Sequence, residues 1–221
     1  MATLDHYQGA RGAEYFEFRK ARRDDNTQRS RAKIFQDWDS AGRIVLDFGC
    51  GTGAVLAELP AAQRIGVEIG ELAALEARTR LDRVVPTLAE IADEAVDLVI
   101  SCHALEHVES PIHILRELRR VLRPGGKIRV VVPSEMAILS PAQRVWSADD
   151  MNKHLFTWTP QILGNAMTAA GFEVEDAHLR AASNGSRLLN HLGPLVGRTG
   201  KFLKALRAER FEAVVTAVKP S

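Results

Sequence analysis

Residues 43–56 read RIVLDFGCGTGAVL, and the order of residue types in this stretch sets the fold class. Ile44, Val45, Leu46 and Phe48 form a short apolar run, the pattern of a strand buried on both faces. Glycines 49, 51 and 53 follow at once, and AVLAELP (54–60) then reads as helical. Glycine between a strand and a helix permits positive φ and lets a ligand touch the main chain. With Ala54 counted, the spacing also satisfies the looser dinucleotide fingerprint G-x-G-x-x-G/A, Glu68 being the acid at the end of the next strand. Asp47 favours another ligand. Two residues before the first glycine, its carboxylate repels a pyrophosphate and attracts an amino or sulfonium group. The bland alternative is a tight turn with two surface acids.

Outward from this loop, short apolar runs alternate with helical ones. RIGVEI (64–69) precedes ELAALEARTRL (71–81); VVPTLAEI (84–91) precedes AVDLVIS (95–101); SPIHILRELRRVL (110–122) precedes RPGGKIRVVVPS (123–134). Such alternation predicts βαβ units and a parallel sheet covered on both faces. Ser110-Pro111 supplies a cap and a proline at the first helical position, and Pro124-Gly125-Gly126 ends that helix. The helix TPQILGNAMTAA (159–170), the strand FEVEDAHL (172–179), a basic segment 183–210 and a last strand FEAVVTAV (211–218) complete the chain. Two terminal strands joined by a long connection suit an antiparallel hairpin at the sheet edge. Before the core, residues 11–38 carry Tyr15, Phe16, Phe18, Phe35 and Trp38 at helical spacings, which predicts one or two amphipathic helices.

The 221 residues are expected to form one domain, with an arm at 1–40, a core at 41–182, an insertion at 183–210 and the last strand at 211–219. A net charge of +1 gives no whole-protein field for gathering nucleic acid. The arm holds eight Lys or Arg against four acids over 11–33, yet no RNA- or DNA-binding module is recognisable. No apolar run approaches a membrane span and the N-terminus lacks a signal segment, so a cytoplasmic location is expected. Cys50 and Cys102 are too few for a disulfide framework and read as reduced thiols.

The ordered motifs D-x-G-C-G-T-G, V-E-I, V-D-L-V-I-S and L-R-x-L-R-R-V-L-R-P-G-G resemble the class I S-adenosylmethionine-dependent methyltransferases over about residues 40–180. The likeness is greatest to the small-molecule branch that includes the ubiquinone-biosynthesis O-methyltransferases. It implies an α/β, Rossmann-like, doubly wound seven-stranded sheet ordered 3-2-1-4-5-7-6, with strand seven antiparallel and a helical arm and cap insertions around it. By the same resemblance, Asp47 and the backbone of Gly49, Cys50, Gly51, Thr52 and Gly53 hold the methionine part of S-adenosylmethionine, and Glu68 the ribose. Ile69 with Leu88, Ala89 and Glu90 would flank the adenine. Arg29 corresponds to an arginine that contacts cofactor, and Ser101, Cys102 and His103 would face the methyl group. The implied reaction is methyl transfer to the oxygen or nitrogen of a small molecule, releasing S-adenosylhomocysteine. A nucleic-acid methyltransferase and a non-catalytic cofactor-binding protein are the rival readings.

Within SCHALEHVES (101–110), His103, Glu106 and His107 spell H-x-x-E-H. Inverted zinc peptidases share that expression, but they carry it inside a long helix, whereas here it straddles a strand end and a loop. The ubiquinone-type and small-RNA methyltransferases carry E-x-x-E-H at this place and bind a divalent metal there; His103 replaces the first glutamate. Three readings stand: His103 as an acid, base or acceptor-binding group, the set as a metal site, or His107 anchoring the loop. Imidazole in place of carboxylate suits magnesium poorly, so no tightly held metal is expected and His103 is assigned to the acceptor side. MNKHLFTWTP resembles the family segment that closes over the acceptor, making His154 a further catalytic candidate beside His103 and His107. Tyr7, Tyr15, Phe16, Phe156 and Trp158 are candidate walls of the acceptor pocket. Residues 1–38, 134–158 and 183–210 are expected to form a cap.

Overall fold

Seven strands hydrogen-bond in the order β3-β2-β1-β4-β5-β7-β6, with all pairs parallel except those made by β7. The strands are β1 Ile44–Phe48, β2 Gln63–Val67, β3 Arg83–Val85, β4 Val96–Cys102, β5 Leu122–Pro133, β6 Glu173–Ala181 and β7 Phe211–Val218. The helices are α1 Gly9–Ala21, α2 Asp25–Ala32, α3 Glu71–Ala77, α4 Pro111–Val121 and α5 Pro160–Ala169. This computed structural model describes residues 6–21, 25–134, 146–181 and 211–221; the basic segment 183–210 lies outside the described residues, as does 135–145 of the expected cap.

Strand alternation divides the core into two layers. Leu98, Ile100 and Val131 join Phe35, Leu56, Leu59 and Ala77 on one face. Val99, Val130 and Val215 join Leu115 and Leu118 of α4 and Leu163 and Met167 of α5 on the other. Burial on both faces explains why the central strands read as continuous apolar runs.

Three local expectations are corrected. AVLAELP forms one turn and a 3₁₀ segment at Leu56–Glu58, because Pro60 leaves fewer residues than a stable helix needs. Ser110 makes no side-chain cap bond, although Pro111 does take the first turn of α4. The helix stops at Val121, before the Pro-Gly-Gly, and the strand partner shifts from Leu122 to Lys127 across that insertion. A side-chain cap does occur on α5, where Thr159 Oγ1 accepts the Ile162 N–H at 3.1 Å.

The arm is fastened to the sheet by Arg129 of β5. Its guanidinium donates to the Ile34 carbonyl, to both Asp37 oxygens at 2.5 and 3.0 Å, and to Thr216 Oγ1 at 2.8 Å, and it lies 4.7 Å from the Trp38 ring. This anchor sets α1 and α2 over the carboxyl ends of β1, β2 and β4, where an open α/β sheet receives ligands.

Candidate functional site

The strand ends open into a cavity of about 850 Å3. At its floor the loop after β1 turns tightly: the N–H groups of Gly49 and Cys50 both donate to Val67 O, at 2.9 and 3.1 Å. Gly49 has φ 72°, and a Cβ there would stand 2.3 Å from that of Ala104. Gly51 has φ 53° with open space where a Cβ would project, so a ligand can approach its backbone closely.

Glu68, at the end of β2, braces this loop. Its Oε2 accepts the Gly51 N–H at 2.8 Å and its Oε1 the Gly70 N–H at 2.7 Å. Each oxygen keeps a lone pair for a ribose hydroxyl. Asp47 is buried and its Oδ1 has no hydrogen-bond partner. Burial, reinforced by the Glu68 charge, pushes its carboxyl well above the usual range. A buried acid without a counter-charge, facing a cavity, is a place for a cation. The ammonium and sulfonium of S-adenosylmethionine fit that requirement; a pyrophosphate does not.

The cavity wall includes Asp47, Gly49, Cys50, Gly51, Thr52, Glu68, Ile69, Leu88, Ala89, Cys102, His103 and His107. Four expected cofactor residues stand elsewhere. Gly53 is in the loop but packs against Leu81. Glu90 is exposed, and its carbonyl accepts from Arg83 at 2.8 Å. Ser101 is buried, its hydroxyl tying β4 to Phe48 O at 3.1 Å. Arg29 lies on the outer side of α2, 3.8 Å from Glu58, while Arg31, two residues on, lines the cavity. The resemblance located the arginine only to a neighbourhood; the phase of α2 selects which one turns inward.

The H-x-x-E-H run does not converge as a single ligand set. His103 has φ 58°, and its Nε2 lies 2.7 Å from Glu212 Oε1 on β7, with Nδ1 3.5 Å from Glu106 Oε1. Arg180 stands 3.2 Å from the other Glu212 oxygen. Desolvation alone would depress His103, but the ion pair with Glu106 and the hydrogen bond to Glu212 outweigh it and raise its pKa. Burial likewise opposes ionisation of the two glutamates, yet His103 holds both below the usual carboxylate range. His103 thus sits between two carboxylates that favour its charged form, with Nε2 committed to Glu212.

His107 is the opposite case. Burial is the main cause that lowers its pKa to about 4, the nearby His154 adding to it against the attraction of Glu106, so the ring is neutral at pH 7. The Tyr7 hydroxyl is 2.9 Å from Nδ1, and Nε2 is 3.7 Å from Glu106 Oε1. Burial raises the Tyr7 pKa, which keeps that hydroxyl protonated. We assign the hydroxyl as donor to Nδ1, which puts the imidazole proton on Nε2 facing Glu106. His154 is not on the cavity wall; it packs edge-on against His107, with ring centroids 4.9 Å apart. Above them His6 Nε2 meets Met151 O at 3.0 Å, and Tyr7 and Tyr15 pack edge-on at 5.0 Å, so the arm roofs this end of the cavity.

Glu106, His107 and His154 bring potential ligand atoms within 4.8 Å of one another. They do not reproduce the E-x-x-E-H donor set, since position 103 turns an imidazole toward Glu212 and, among the described residues, no second carboxylate joins Glu106. Neither Glu106 oxygen has a hydrogen-bond partner, and its counter-charge already sits at His103. Tyr7, Arg31 and Glu212 had no assigned part in this network on sequence grounds: Tyr7 was a candidate wall, and the others lack any motif.

A family model described as a methyltransferase domain matches residues 15–177. Among curated proteins, a "Probable S-adenosylmethionine-dependent methyltransferase" of Mycolicibacterium smegmatis is 35% identical over 144 residues, covering 62% of this chain and 54% of that protein. The ubiquinone biosynthesis O-methyltransferase of Aliivibrio fischeri is 37% identical over 100 residues, covering 39% of this chain and 42% of the other. These matches thus span about half or less of the curated relatives. Among solved structures, phosphoethanolamine N-methyltransferase 2 of Haemonchus contortus, in complex with S-adenosyl-L-methionine, superposes with TM-score 0.70 at 16% identity, over all of this chain and 60% of that one. That likeness establishes the shared fold, while the family match covers the glycine loop, the acids and the histidine cluster alike: the chain belongs to the methyltransferase domain family.

Proposed function

We propose that the chain transfers the methyl group of S-adenosylmethionine to an oxygen or nitrogen of a small molecule, and that His107 takes the proton of a hydroxyl acceptor. The observation that carries the cofactor assignment is the unpartnered buried carboxylate of Asp47 beside the glycine loop. The cofactor supplies an activated methyl group on sulfur and leaves as S-adenosylhomocysteine. The protein's part is to align the acceptor, exclude water and receive a proton.

The Tyr7 hydroxyl occupies the position from which an acceptor hydroxyl would donate to His107 Nδ1. An acceptor hydroxyl that displaces that of Tyr7 meets a neutral imidazole, and the buried Glu106 charge favours the imidazolium that forms. His103, paired with Glu106 and Glu212, holds both in place and serves as a positioning residue. His154 supports the His107 ring by an edge-on contact. An aromatic roof formed by the arm favours a small acceptor over a duplex. The names of the relatives agree in kind, one acting at oxygen in ubiquinone biosynthesis and another at nitrogen of phosphoethanolamine.

The test is calorimetry with S-adenosylhomocysteine on the wild type and Asp47→Asn, followed by methyl transfer from labelled cofactor to a panel of phenols and amines. Binding is expected to weaken in Asp47→Asn. Tight nicotinamide dinucleotide binding with no response to S-adenosylhomocysteine would overturn the assignment.

A further inference from the structure

We propose that the acceptor is an anionic small molecule, carrying a carboxylate or phosphate that pairs with Arg19 while its reacting atom faces His107. This deepens the reading above and rests on it for where the reacting atom sits.

Arg19 and Arg31 both line the cavity but serve different ends of it. The Arg31 charge acts on Cys102, His103 and Glu212, at the ends of β4 and β7. The Arg19 charge acts on Tyr7, His107 and His154. Tyr15, on the wall between them, feels both charges.

The cofactor has one anionic group, its carboxylate, and Arg31 beside the strand ends answers it. Its cationic groups are answered by Asp47. The charge on His103 is matched by Glu106 and Glu212. Glu68 serves the loop and the ribose, and Glu117 pairs with Arg120 at 3.0 Å. Among the described residues no hydrogen bond or ion pair is made by Arg19, and no cofactor group remains to supply one. Its neighbour Lys20, by contrast, has the ordinary surface occupation, 3.9 Å from Glu17 and over the Phe16 ring. Arg19 is exposed at the cavity rim, one helical turn after Tyr15, whose ring packs on the Tyr7 that meets His107; an unpaired guanidinium there is suited to a planar anion.

The experiment is calorimetry on the full chain saturated with S-adenosylhomocysteine, using 4-hydroxybenzoate and 4-hydroxybenzamide, which share a shape and differ by one charge. The acid is expected to bind roughly tenfold tighter than the amide. That preference should vanish in Arg19→Gln and persist in Lys20→Gln, which removes an equal charge outside the cavity. Equal binding of the two probes, binding of neither, or a preference that survives in Arg19→Gln overturns the proposal. A chain that does not bind S-adenosylhomocysteine loses the cofactor reading and this one together, whereas cofactor binding without the preference sinks only the anionic acceptor.

Discussion

Replacing Glu68 by alanine should weaken S-adenosylhomocysteine binding by about 1.5–3 kcal/mol, the scale of hydrogen bonds to a charged group. At about 1.4 kcal/mol per factor of ten, that is roughly a 10- to 150-fold rise in Kd. The structure adds a second cost. Glu68 accepts the Gly51 and Gly70 N–H groups at 2.8 and 2.7 Å, so truncation strips both of their acceptor. Water entering from the cavity can satisfy them in part, leaving a penalty of about 1 kcal/mol for each. For a chain of this size each 1 kcal/mol lowers Tm by roughly 2–4 °C. Glu68→Gln separates the two effects. Its amide oxygen restores one bond to the loop, but its NH2 must face the other N–H, donor against donor. Calorimetry should therefore place Glu68→Gln between wild type and alanine in stability while cofactor binding stays weakened. A Glu68→Ala protein that melts cooperatively and binds S-adenosylhomocysteine like wild type would refute both the ribose role and the loop brace.

His107→Asn should reduce kcat for a hydroxyl acceptor by roughly 100-fold, with little change in cofactor affinity, as measured by initial rates and calorimetry. Because the folded pKa of His107 is depressed from 6.5 to about 4, the native state resists its protonation, and stability is lost as pH falls from about 6.5 toward 4. Subtracting the pH–Tm curve of His107→Asn from that of wild type isolates this loss; superimposable curves would contradict a buried neutral ring. His103→Leu leaves the buried Glu106 uncompensated, Glu212 keeping Arg180, and should cost about 3–5 kcal/mol in chemical denaturation, whereas the exposed Arg29→Ala should stay within about 0.5 kcal/mol. The raised pKa of His103 means its contribution is full below pH 6.5 and fades as pH rises through the folded value. Chelator should leave turnover unchanged. One equivalent of zinc or manganese, with activity lost on its removal and regained on its return, would make Glu106, His107 and His154 a metal centre.

The fold was legible in the sequence because its signals are local. The doubly apolar run at 44–48, glycines timed to the turn at 49–53, and the acids Asp47 and Glu68 at strand ends all act within one βαβ unit. Which face of α2 turned inward was not legible, since Arg29 and Arg31 differ only by the phase of a short helix whose docking is set by Arg129 on β5. Nor could spacing show that H-x-x-E-H would divide, His103 going to Glu212, 109 residues on, and His107 to Tyr7, 100 residues back. Side-chain period determines which residues share a face; which distant faces meet, and so which histidine is pushed toward its charged form and which toward its neutral one, is decided by the sheet order and the burial it imposes.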